Sequence, residues 1–197
     1  NKVYNFNKNF QKEFNFIQAK FMAYTDSGKI IKLKNDQKIY YESIQLSKSG
    51  NLLESLKKIN FLISKNKKNF FIEETKADIL LSYGYTQEAI KFYKKVLEAQ
   101  PDNNYVKYNI FINSTLSQDY EFNSDLFSNN LNLLKLFLNN QNILIKYYDL
   151  AKLLKKNDWI LFFETLLFQK KDSNIILKEL NKQTKDYNLK KILKLYT

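Results

Sequence analysis

The chain has 197 residues and 23.6 kDa, of which 44% are hydrophobic, enough apolar surface for one domain or a short solenoid and too much for a globally disordered chain. Its net charge of +12 suggests an anionic partner, but every basic residue is Lys, and Arg is the residue suited to bidentate phosphate and base contacts. The absence of His and Cys excludes His-containing triads, cysteine nucleophiles, disulfides and imidazole or thiolate zinc sites within these residues.

With 3 Gly and 1 Pro there are too few turn formers for a sandwich of short strands, so the expected class is all-α. Residues 1–9 are polar and are expected to fray. Phe10, Phe14, Ile17 and Phe21 follow at i, i+4, i+7 and i+11 and predict a helix with those residues on its buried face, ending near Asp26-Ser27-Gly28. Residues 1–35 therefore form a leading helix and a connection, with Asn35-Asp36 able to cap the next helix.

From there a period emerges. Gly84 and Gly50 lie 34 residues apart, and their neighbours correspond: Ser43 with Ala77, Leu46 with Leu80, Ser55 with Ala89, and Ile59, Leu62 and Ile63 with Tyr93, Val96 and Leu97. Pro101 closes the second unit. This is the tetratricopeptide pattern, ~34 residues per helical hairpin with small and large apolar positions and Gly at the turn. The predicted fold is a right-handed tetratricopeptide-like α-solenoid of about four hairpins, spanning residues 36–69, 70–103, 104–140 and 141–169. The third unit contains an inserted loop, Ser117 to Ser124, before a second helix from Asp125 to Asn139, and Gln141-Asn142 reads as a separator before the fourth. Residues 170–197 supply two short helices, Ser173 to Thr184 and Tyr187 to Tyr196, that cap the open end. No stretch is long enough to span a bilayer; Trp159 to Phe168 is the most apolar, and Glu164 interrupts it. A first residue that is Asn, with no visible signal peptide, suggests a fragment or a processed chain.

Four segments resemble one family in order and content: FNFIQAKFMAY at Phe14 to Tyr24, YYESIQLSKSGNLLESLKKINFLI at Tyr40 to Ile63, IEETKADILLSYGYTQEAI at Ile72 to Ile90, and YYDLAKLLKKNDW at Tyr147 to Trp159. That family is the C-terminal tetratricopeptide region of bacterial periplasmic zinc metallopeptidases that assist outer-membrane β-barrel assembly. The resemblance implies a non-catalytic, protein-binding segment located in the periplasm. It engages unfolded clients, the outer-membrane assembly machinery or its own upstream peptidase domain, and the zinc site lies before residue 1. No cofactor and no zinc are expected within this segment. The alternative is a stand-alone scaffold or adaptor, with nucleic-acid binding less favoured because Arg is absent.

In such solenoids the first helix of each unit lines the concave surface. The positions facing it are Tyr40 and Ile44, then Phe71, Glu74 and Asp78, then Tyr105, Tyr108 and Ile112, then Tyr147 or Tyr148. A recurring aromatic residue suits a surface that grips extended chains. For that role at least three of Tyr40, Phe71, Tyr105 and Tyr108 must be partly exposed in one groove. Glu73, Glu74 and Asp78 read as an acidic N-terminal cluster that favours the helix dipole, the pairs Lys67-Lys68, Lys155-Lys156, Lys170-Lys171 and Lys190-Lys191 as helix ends and solvated faces, and Trp159 as a core anchor.

Overall fold

The computed structural model describes residues 2–25, 33, 35–66, 69–117, 131–168 and 172–196, with side chains described from residue 14 in the first helix and from residue 134 in the helix that begins at residue 131. Among the described residues the chain is all-helical: α1 Lys2–Thr25, α2 Asn35–Lys48, α3 Leu52–Lys65, α4 Phe70–Ser82, α5 Thr86–Ala99, α6 Asn104–Ser117, α7 Leu131–Leu138, α8 Gln141–Leu153, α9 Asn157–Phe168, α10 Ser173–Gln183 and α11 Tyr187–Leu193. From α2 onward consecutive helices pack as hairpins, giving an all-α, solenoid-like fold. The inserted loop of the third unit and the start of its second helix lie outside the described residues.

The 34-residue register holds at its defining positions. Gly50 and Gly84 occupy the α2–α3 and α4–α5 turns at φ +88° and +80°, a left-handed conformation that an L side chain adopts only with strain. The small positions Ser43, Ser55, Ala77 and Ala89 are fully buried. Serine is tolerated there because its hydroxyl finds a local acceptor: Ser55 Oγ donates to the Ser43 carbonyl and Ser43 Oγ to that of Tyr40, both at 2.7 Å. Ile59, Leu62, Tyr93 and Val96 are buried, and Ile63 and Leu97 half-buried. Asparagines cap the later helices, Asn51 on α3, Asn69 on α4 and Asn140 on α8. Gln141-Asn142, expected as a separator, is instead the first turn of α8, because Asn140 accepts the backbone N–H groups of Asn142 and Ile143.

The leading helix departs from expectation in two respects. It already runs from Lys2, no Gly or Pro interrupting the sequence before Thr25. Its buried face is also different: Phe16, Ala19, Met22 and Ala23 are buried, while Phe14, Ile17 and Phe21 face outward. Two apolar stripes were present in the sequence, and the one bearing alanines is chosen because small residues let α1 approach α2 closely. Gln37 Nε2 donates to the Asn15 carbonyl and Gln45 Nε2 to the Ala23 carbonyl, at 3.2 and 2.9 Å. These pairs keep a constant sequence offset, so α1 and α2 run in the same direction and do not form a hairpin.

α6 is buried on nearly every side, from Tyr108 to Leu116 without interruption, as a helix enclosed by its neighbours must be. Two cores result. One, around Phe16, Tyr40, Ile44, Ile59 and Ile72, joins α1 to the first hairpin and α4; the other runs from Ala77 to Leu193 around α6. Trp159 is a core anchor there, its indole N–H donating to Asp186 at 2.8 Å.

Replacing Ala89 with Leu is expected to destabilise the fold by ~1–3 kcal/mol through overpacking at a fully buried site. Gly50→Ala and Gly84→Ala are each expected to cost ~1–2 kcal/mol of backbone strain. A Cβ at Gly84 meets only the movable end of the Leu153 side chain, so the two glycine variants are expected to be alike in urea denaturation.

Candidate functional site

The centre of the molecule is ionic. Asp78, on the inner face of α4, is buried, and its Oδ1 accepts from Lys146 Nζ of α8 at 2.8 Å, from the Tyr105 hydroxyl of α6 at 2.8 Å, and from the Tyr93 hydroxyl of α5. Its Oδ2 accepts from Lys20 Nζ of α1 at 3.2 Å. One turn earlier, Glu74 accepts from Lys20 at 3.4 Å and from Asn103 Nδ2 at 3.3 Å. Lys146 also donates to Asn109 Oδ1 at 2.9 Å, and Asn109 Oδ1 accepts from the Tyr147 hydroxyl at 2.8 Å. Two lysines thus face two carboxylates, and α1, α4, α5, α6 and α8 all contribute.

The electrostatics follow from burial and pairing. Burial alone would raise Asp78, but Lys146, then Lys20, then the hydrogen bonds from Lys146 and Tyr93 outweigh it and hold the carboxyl well below the usual carboxylate range. Glu74 lies above its ordinary value: burial is the main cause, opposed by Lys20 and reinforced by the charge of Asp78. Burial also works against Lys20, yet Asp78, with smaller contributions from Tyr40 and Glu74, holds it above the ordinary lysine range. Lys146 is pushed down by burial against the attraction of Asp78. With acceptors from Asp78 and Asn109 around its nitrogen, it is an ammonium. Burial raises the Tyr93, Tyr105 and Tyr147 phenols, which therefore remain neutral donors.

The aromatic ladder expected to line an open groove is present but closed. Tyr40, Ile44, Tyr108, Ile112 and Tyr147 are buried, and Phe71, Glu74, Tyr105 and Tyr148 are half-buried. Of Tyr40, Phe71, Tyr105 and Tyr108 only Phe71 and Tyr105 retain exposure, so the requirement of three is not met. Two inserted rings explain this. Phe16 of α1 meets Tyr40 edge-on at 5.2 Å, and Phe137 of α7 lies 5.1 Å from Tyr108, 6.2 Å from Tyr105 and 6.4 Å from Tyr147. The acidic residues divide: Glu73 stands in the first turn of α4 as expected, whereas Glu74 and Asp78 pair with the half-buried Lys20 and Lys146. The periodicity placed Tyr93 at a large core position without signalling its hydroxyl, and it did not point to Lys20, Asn109 or Lys146.

Exposed apolar area lies elsewhere. On α1 the side chains of Phe14, Ile17, Phe21 and Tyr24 are 51%, 50%, 66% and 52% exposed and fall at i, i+3, i+7 and i+10, one stripe opposite the docked face. A shallow depression between the start of α2 and the end of α3, lined by Asp36, Glu42, Phe61 and Lys65, lies on residues separate from the ionic cluster. Among the described residues no group of three His, Cys, Asp or Glu side chains is placed to hold a metal ion, and no helix is long and apolar enough to cross a membrane.

Asp78→Asn removes the charge that faces two half-buried ammoniums and is expected to cost ~1–3 kcal/mol at pH 7, whereas Glu74→Gln is expected to be neutral or stabilising. The pH dependence separates the two carboxylates. Asp78 has a depressed folded pKa, so its contribution is complete above the unfolded value of ~3.9 and is lost as pH falls from there toward the folded value. Glu74, raised in the fold, opposes stability once ionised above ~4.3 and is relieved by protonation. Urea denaturation between pH 3 and pH 7 is expected to show wild-type stability falling below about pH 4, and this fall flattened in Asp78→Asn.

Comparison with known proteins returns no matching family model, no matching curated protein and no matching solved structure.

Proposed function

We propose that this chain is a non-catalytic, polypeptide-binding segment built of helical hairpins. The observation that carries the reading is the outer stripe of α1. Phe14, Ile17, Phe21 and Tyr24 place large apolar side chains in water along one line. The opposite face of the same helix is held by Phe16, Ala19 and Ala23 in the core and by Lys20 on Glu74 and Asp78. A helix apolar on two faces needs cover on both. A stripe of this kind fits an apolar polypeptide segment, and it replaces the inner ladder as the surface where a client docks.

In its finer form the proposal makes the chain the partner-binding part of a periplasmic zinc metallopeptidase, acting on unfolded clients or with outer-membrane assembly proteins. Its support is the likeness of the Phe14–Tyr24, Tyr40–Ile63, Ile72–Ile90 and Tyr147–Trp159 segments to that family. Reading the encoding frame upstream tests this form: an HExxH motif and a signal peptide are expected, and a frame with neither overturns it.

The stripe itself is tested with Phe14→Ser/Phe21→Ser. A urea-unfolded transmembrane β-barrel precursor, diluted into buffer with the full chain, is expected to aggregate less in the presence of wild type. The double variant is expected to lose at least five-fold of that protection while its melting temperature stays within a few degrees. Equal protection by both proteins rules the stripe out.

A further inference from the structure

Among the described residues, α1 does not form a hairpin with the helix that follows it. It runs parallel to α2, and its inner face lies across the first helices of two successive units, α2 and α4, against the positions that line the concave side of a solenoid. Its side chains fill that surface as a ligand would. Phe16 meets Tyr40, which in turn lies 6.0 Å from Phe71. Ala19 and Ala23 are fully buried and allow close helix approach. Lys20 passes over the Phe71 ring at 5.0 Å and ends between the Glu74 and Asp78 carboxylates. Gln45 and Lys48 of α2 close on the Ala23 carbonyl at 2.9 and 3.1 Å.

We infer that α2 and α4 form a helix-accepting groove whose cis occupant is α1, and that the groove takes a partner helix of the same chemistry in trans. Such a helix carries an aromatic residue, a small residue, a lysine and a second small residue in the order and spacing of Phe16, Ala19, Lys20 and Ala23. Specificity comes from the carboxylate pair, which demands a cation one residue after the first small position. When α1 leaves, Asp78 keeps Lys146, Tyr93 and Tyr105 on its other oxygen, and Glu74 keeps Asn103. The tethered α1 competes at an effective concentration in the millimolar range, so it acts as an autoinhibitory plug. This surface is the inner face of α1 and the groove beneath it, so it stands or falls separately from the outer stripe.

The test uses a fluorescent synthetic peptide of residues 10–25 and the full-length chain. In Ala19→Glu/Ala23→Glu, carboxylates at two buried small positions expel α1. This variant is expected to bind the peptide at least ten-fold more tightly than wild type, whose groove is filled. Lys20→Met in the peptide is expected to weaken binding at least ten-fold, and Phe14→Ser/Phe21→Ser in the peptide to leave it unchanged, which separates the groove from the stripe. A variant that keeps its helical circular dichroism but ignores the peptide overturns the inference. If the variant unfolds, hydrogen exchange on wild type decides. Amides of α1 exchanging by local opening, faster than those of α2 to α5, support a displaceable plug, and α1 amides exchanging only with global unfolding overturn it.

Discussion

A carboxylate deprived of water has to be paired or it destroys the fold, and the interior of this protein is arranged around that requirement at Asp78. Five helices each contribute a donor, a charge or the carboxylate itself. Lys146 and Lys20 approach opposite oxygens, and the phenols of Tyr93 and Tyr105 complete the coordination. The arrangement is close to neutral as a whole, two ammoniums against two carboxylates. It ties α4 to α5, α6 and α8, because Asp78 Oδ1 draws one donor from each of those three helices. Hydrophobic burial supplies the bulk of the driving force here as elsewhere, whereas the ionic cluster selects which helices meet.

The same cluster explains why the inner aromatic residues are closed to solvent. In an extended solenoid each unit touches only its neighbours. Here α8, in the fourth unit, reaches α4, in the second, and α6 between them is enclosed. Among the described residues, Phe16 and Phe137 pack on the inner aromatic side chains where an open channel would need space. Large apolar side chains that stay in water include Phe14, Ile17, Phe21 and Tyr24 on the outside of α1.

The repeat was legible because its signals are local and stereochemical. Gly50 and Gly84 mark left-handed turns, and Ser43, Ser55, Ala77 and Ala89 mark close helix approach. These positions are read from spacing alone. What spacing cannot provide is the choice between two apolar stripes on one helix. Phe10, Phe14, Ile17 and Phe21 formed the larger stripe, yet burial went to Phe16, Ala19 and Ala23, since close packing against α2 rewards small side chains more than large ones. Nor does local pattern encode long-range pairing. Lys146 and Asp78 are each unremarkable in their own helices, and their meeting depends on how α4, α5, α6 and α8 pack together.

The two lysine contacts to Asp78 join residues 58 and 68 positions apart in sequence. A helical-repeat chain is ordinarily a one-dimensional array that can nucleate at any unit and fray from either end. Cross-links of this reach convert the array into a closed object. The loop entropy of bringing α1, α4 and α8 together has to be met before the buried charges are compensated. Folding of the central units is accordingly slower than for a stack with contacts between neighbours only, and their unfolding tends toward a single cooperative step.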